Sequence, residues 1–122
     1  MISKQHRFHG HASLRYVYQN GSVVRGPWFS VRHARNPRRN TYRAAVVVSK
    51  KISKSAVTRN RIRRRLYEVL RAHEESIEAP HDVVITVYGG SVLEAPFEQL
   101  SRELGGQLQK AGVTARRPAT SR

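Results

Sequence analysis

From Val48 to Leu66 the chain reads Val-Ser-Lys-Lys-Ile-Ser-Lys-Ser-Ala-Val-Thr-Arg-Asn-Arg-Ile-Arg-Arg-Arg-Leu, with seven lysines and arginines between Lys50 and Arg64 and no acid before Glu68. Guanidinium groups grip phosphate oxygens in bidentate fashion, and the amides at a helix N-terminus add donors of the same sense. Cations at a helix start also work against a macrodipole that is already positive there. A merely solvated face would mix in acids at i+4 to relieve the repulsion. Across residues 48–67 none is present, so Lys50, Lys51, Lys54, Arg59, Asn60, Arg61, Arg63 and Arg64 form a candidate contact surface for nucleic-acid backbone.

Other chemistries find little support. A protein-borne two-metal nuclease needs several carboxylates around cations about 4 Å apart. The basic half offers only Glu68, Asp82 is the sole aspartate, and Glu74, Glu75, Glu78, Glu94, Glu98 and Glu103 are expected as solubilising charges. His9, His11 and His33 could titrate or ligate, but without cysteine or nearby carboxylates they are expected as polar or RNA-facing surface. The chain has no cysteine, which excludes disulfides, thiolate nucleophiles and Cys-containing zinc sites. Neither a phosphate-binding G-x-x-x-x-G-K loop nor a G-x-G-x-x-G or G-x-S-x-G motif occurs.

With 122 residues, 39% of them hydrophobic, the chain has material for one core and not for two. Its net charge of +15 is unevenly spread. Met1 to Arg71 hold 18 basic residues against one acid, whereas Ala72 to Arg122 hold five against seven. The first half is therefore the expected binding half, within one domain over residues 1–113 followed by a basic, disordered tail over 114–122. The longest apolar stretches, Ala44 to Val48 and Val83 to Val87, fall far short of the roughly 20 residues that span a bilayer. No apolar signal core follows Met1, and a cytoplasmic location is expected.

The elements that would hold the basic segment follow from periodicity. Leu14, Val17 and Tyr18 predict a short amphipathic helix over Ser13 to Gln19, stopped by Asn20-Gly21. Trp28 to His33 alternates as a strand, and Arg35 to Asn40 is a turn. Tyr42 to Ser49 and Asp82 to Tyr88 read as buried strands. Between them a long helix from Ser55 to the Glu74 region buries Ile62, Leu66, Val69 and Leu70, with Asn60, Arg61, Arg63, Arg64, Arg65 and Arg71 on the opposite or flanking arc. Arg59 falls near the apolar edge and must snorkel or distort the first turn. A last helix from Pro96 to Gln109 carries Phe97, Leu100, Leu104 and Leu108 on one stripe.

At Ser49-Lys50-Lys51 and Arg59-Asn60-Arg61-Ile62-Arg63-Arg64 the sequence resembles the protein subunit of bacterial ribonuclease P. The likeness extends more loosely from Phe8 to Gly112, through Gly21, Phe29 and Asp82-Val83-Val84-Ile85. The resemblance implies an α+β fold, a two-layer α/β sandwich of order αβββαβα with a four-stranded sheet and a first strand near Ser22 to Arg25. It also implies a left-handed crossover between the two parallel strands, where the general rule is right-handed. It further implies two RNA partners: a catalytic RNA that holds the Mg²⁺ and performs the cleavage, and precursor tRNA, whose 5′ leader is removed. No catalytic side chain, protein-bound metal, small-molecule substrate or membrane belongs to that picture. The basic segment would contact the catalytic RNA, and a cleft between the first helix and the sheet, at Leu14, Tyr18, Ser30 and Arg32, would hold the leader.

The chain departs from the family at two cleft positions, where aromatic rings are common and Leu14 and Arg32 stand instead. Leucine cannot stack on a base; arginine can stack its guanidinium plane or pair with a phosphate. Leu14 fits core packing as well as it fits leader contact, whereas Tyr18 fits contact better. Two other classes account for the charge alone: a ribosomal or general RNA-binding protein, and a basic-helix DNA binder. Neither accounts for the unbroken motif, and a DNA reader would vary its recognition residues more than this arginine-dominated helix does.

Overall fold

The computed structural model describes residues 11–36, 41–77 and 80–114. Seven main elements follow one another in the order αβββαβα: α1 (His11–Asn20), β1 (Ser22–Arg25), β2 (Phe29–Arg35), β3 (Arg43–Val48), α2 (Ala56–Ala72), β4 (His81–Val87) and α3 (Phe97–Lys110). Short 3₁₀ turns at Glu74–Ser76 and Gly90–Leu93 flank β4. The strands form one sheet in the order β1-β2-β4-β3, antiparallel except for the parallel pair β3 and β4, which α2 connects.

The register sets two faces, because side chains alternate along each strand. Val24, Val31, Ile85 and Val46 share a row. Their face packs on α2 and α3, where Phe29, Val31, Ala44, Ile62, Leu66, Val69, Leu70, Val83, Ile85, Leu100, Leu104 and Leu108 are almost completely buried. Burying such side chains contributes about 1.5–3 kcal/mol each. The opposite face carries Ser30, Arg32, Ala34, Asp82, Val84, Thr86, Ala45 and Val47, and α1 lies against β2 and β4 there through the fully buried Val17. Gly21 permits this approach: a Cβ would stand 2.5 Å from both the Val17 and the His33 carbonyl oxygens.

Several details differ from the sequence expectation. β4 is buried on both faces, but β3 alternates, because it is an edge strand whose outer face α1 does not cover. Phe97 is 44% exposed rather than part of the α3 stripe, which buries Leu100, Leu104 and Leu108. Thr114, expected in the tail, is buried and bridges Ile77; residues 115–122 lie outside the described part. Glu74, expected as a solubilising charge, accepts a 2.6 Å hydrogen bond from the Tyr42 hydroxyl.

Asp82 ties the ends of the β2–β3 connection. Its fully buried carboxylate accepts from Asn36 Nδ2 at 2.8 Å and from Arg43 Nε and Nη2 at 3.1 and 2.9 Å. Such a charge is tolerated in the interior because Arg43 neutralises it and three donors satisfy it. Asp82→Ala removes the buried acceptor shared by Asn36 and Arg43 and is expected to lower the urea-unfolding free energy by about 3 kcal/mol or more; an unchanged unfolding midpoint would show the pair to be incidental.

Candidate nucleic-acid interface

After β3 the chain turns through Ser49–Ser55 before α2 begins. Ile52 packs against the core, and its amide donates to the Ser49 carbonyl at 3.1 Å. With the turn pinned, Lys50, Lys51 and Lys54 face solvent. Ser55 caps α2, its hydroxyl accepting from the Thr58 amide at 3.2 Å. That cap already satisfies one N-terminal amide, so the anion-binding capacity of this end rests chiefly on side chains.

The arginines of α2 divide into two groups. Arg61 and Arg64 are exposed, opposite the buried stripe of Ile62, Leu66, Val69 and Leu70. Asn60 is also exposed, and its Oδ1 accepts from Arg63 Nη2, so these two residues act as one polar unit. Arg59 turns back along the helix and donates from Nη1 to the Ser53 carbonyl at 2.8 Å, which resolves its place near the apolar edge. Arg65, expected on the basic arc, donates instead to the carbonyls of Val92 and Leu93 at 2.9 and 2.8 Å and holds the turn after β4. Among the described residues, no carboxylate pairs with Arg59, Arg61, Arg63 or Arg64.

On the α1 face of the sheet, the Arg32 guanidinium carbon lies 5.0 Å from the centroid of the Tyr18 ring. Tyr18 is 44% exposed and Arg32 half-buried, so the pair forms an open wall of the cleft. Leu14 is half-buried one turn before Tyr18, while Ser30 is buried on the floor and paired in register with Thr86. All four cleft residues identified from sequence therefore lie on one side of the molecule. Thr86, Ala45 and Val47 continue that floor toward the Lys50 turn, a continuity that only the strand register discloses. Among the described residues no group of three or more His, Asp or Glu gathers as a metal centre would require. No helix of the described part is long and apolar enough to cross a membrane.

A mixed sheet with α1 over an open cleft on one face, and an arginine-rich helix whose exposed Arg61 and Arg64 pair with no carboxylate on the other, defines an α+β protein built to meet a polyanion. Comparison with known proteins agrees. The family description "Ribonuclease P" matches residues 2–112. A ribonuclease P protein component from Chloroflexus aurantiacus is 34% identical over 90% of this chain and 80% of its own length. One from Pseudanabaena is 32% identical over 93% and 97%. The structure of the Staphylococcus aureus RNase P protein superposes with a TM-score of 0.78 at 26% identity, covering 90% of this chain and 98% of that one. This chain belongs to the ribonuclease P protein family. Membership carries the coarse function: a protein component of an endoribonuclease complex with an RNA partner, acting in tRNA 5′ processing.

The division of the arginines makes a direct test. Arg64→Ala is expected to flatten the slope of log K against log salt for RNA binding by about 0.7–0.9, with stability moved by no more than about 0.5 kcal/mol. Arg59→Ala is expected to cost about 1–2 kcal/mol of stability by releasing the Ser53 carbonyl. Salt titrations with parallel thermal melts check both; a large melting loss for Arg64→Ala with an unchanged slope would reverse the assignment.

Proposed function

We propose that this chain is the accessory protein of a ribonucleoprotein endonuclease, holding the catalytic RNA through the α2 face and the 5′ leader of precursor tRNA in the α1 cleft. The observation that carries the proposal is the acid-free surface of Lys50, Lys51, Lys54, Asn60, Arg61, Arg63 and Arg64, displayed on a helix that the core holds rigidly. Positive charge without paired acids has no folding benefit and favours a phosphate backbone. In this scheme Mg²⁺ is held mainly by the RNA, and the protein contributes binding and placement.

The cleft deepens the reading. Arg32 covers one face of the Tyr18 ring, a cation–π contact worth about 0.5–1 kcal/mol at an exposed site. A leader base can stack on the Tyr18 ring while Arg32 meets the adjoining phosphate, so the pair recognises single-stranded RNA by ring face and charge rather than by base identity. Arginine at position 32 thus replaces an aromatic stacking surface with a mixed one.

The test is reconstitution. Added to a ribonuclease P RNA at low magnesium, the protein is expected to restore cleavage of precursor tRNA at the mature 5′ end, and rigorously RNA-free protein is expected to cleave nothing. No restoration would favour a general RNA-binding role. Cleavage by the RNA-free protein that is lost on mutating Glu68 or a histidine would place the chemistry on side chains and overturn the proposal.

A further inference from the structure

Between the end of α2 and α3 the surface holds an open groove of about 530 Å³. His73 and Ser76 line it from one side, and α3 lines it from Phe97 to Gln109. The His73 ring is fixed there: its Nε2 lies 2.9 Å from the Ser101 carbonyl oxygen and 3.0 Å from the Ser101 hydroxyl, and since a carbonyl only accepts, Nε2 carries the proton. Gly105 makes room for that ring, because a Cβ would stand 2.7 Å from its Cε1. Gly106 has no such reason. A Cβ there would meet nothing within 4 Å, yet glycine inside a helix is destabilising relative to alanine. Its effect is to keep this side of α3 bare, while Phe97 stays 44% exposed at the far end of the groove.

The chain itself runs into the groove. Gly112, with a φ of 76°, turns the backbone after α3, and the buried Thr114, which also lines the groove, pairs antiparallel with Ile77. We propose that residues 115–122 occupy the groove as a strap running from Thr114 toward Phe97. Continued in the sense of the Ile77 pairing, residue 115 comes opposite Ser76 and residue 116 opposite Glu75. Eight extended residues reach about 26 Å, more than the roughly 18 Å of α3 between Gln109 and Phe97.

Charge and shape agree with that occupant. The segment Ala115-Arg116-Arg117-Pro118-Ala119-Thr120-Ser121-Arg122 carries three arginines and no acid. Glu75, beside Ser76, and Glu98, in the α3 lining, are exposed, and among the described residues neither pairs with a cation. Arg102 also lines the groove, so the match is local to the two glutamates. Pro118 favours extended backbone at Arg117 and at itself, and its ring offers Phe97 an apolar cover. Surface ion pairs are weak one by one, but a segment tethered at the mouth of its own site has an effective concentration in the millimolar range, so weak contacts suffice. His73 stands twelve residues, about 18 Å, along α2 from Arg61. The strap therefore keeps its arginines away from the α2 face, and they add nothing to the hold on RNA.

Backbone ¹⁵N relaxation of the 122-residue chain tests this. Order parameters above about 0.6 are expected at Arg116, Arg117, Ala119 and Thr120, where a free segment falls below that value. Gly106→Leu fills the bare side of α3 at a position with room for a side chain, and Glu75→Gln/Glu98→Gln removes the charge and keeps the shape. Each is expected to return those residues to values below about 0.6, with the melting temperature of Gly106→Leu unchanged or raised because leucine is the better helix former. Values below about 0.6 in the native chain, or values that neither variant lowers, would overturn the strap. Order gained only as the protein concentration rises would give the groove to a second copy and overturn it as well. A salt titration of RNA binding adds an independent arm: Arg116→Gln/Arg117→Gln/Arg122→Gln is expected to leave the slope of log K against log salt where it was, whereas a flattening by about 2 would place these arginines on RNA and contradict the proposal.

Discussion

Burial of one stripe on α2 holds this structure and its binding surface together. Ile62, Leu66, Val69 and Leu70 contribute about 1.5–3 kcal/mol each against β3, β4 and α3. The cations crowding the helix start cost about 0.3–1 kcal/mol each where they meet the positive dipole end. The apolar term wins, and only because it wins can Arg61 and Arg64 remain exposed without acidic partners. A free peptide of this composition would gain nothing to offset that repulsion.

The same helix places both candidate surfaces. It joins β3 to β4 in parallel, which puts β4 in the middle of the sheet, buried on both faces. The side of β4 away from α2 then becomes the floor on which α1 rests, and Val17 with Gly21 brings Tyr18 over Arg32. From that contact the floor runs through Thr86 and Val47 to the turn bearing Lys50 and Lys51. A single strand lying in the cleft would be led toward the arginine helix by the sheet itself.

Much of this was legible in the sequence because it is local. The α2 stripe, its Ser55 start and the alternation of Phe29 and Val31 against Ser30 and Arg32 need only the helical and strand periods. The first strand, Ser22–Arg25, came from the family likeness, whereas the order of the other elements came from periodicity. What escaped depends on distant partners. Asp82 looks like any strand-end acid until Asn36 and Arg43 converge on it; Arg65 looks like its neighbours until Val92 and Leu93 present their carbonyls. The outer face of β3 is open because of strand order, which three consecutive valines cannot reveal.

Whether the α1 cleft senses the leader decides the proposed function most directly. In the assembled complex, Tyr18→Ala should weaken binding of precursor tRNA by about 1–3 kcal/mol while binding of mature tRNA, which has no leader to stack, stays as it was. Equal losses for the two RNAs, accompanied by a fall in melting temperature, would make Tyr18 a packing residue and contradict the account.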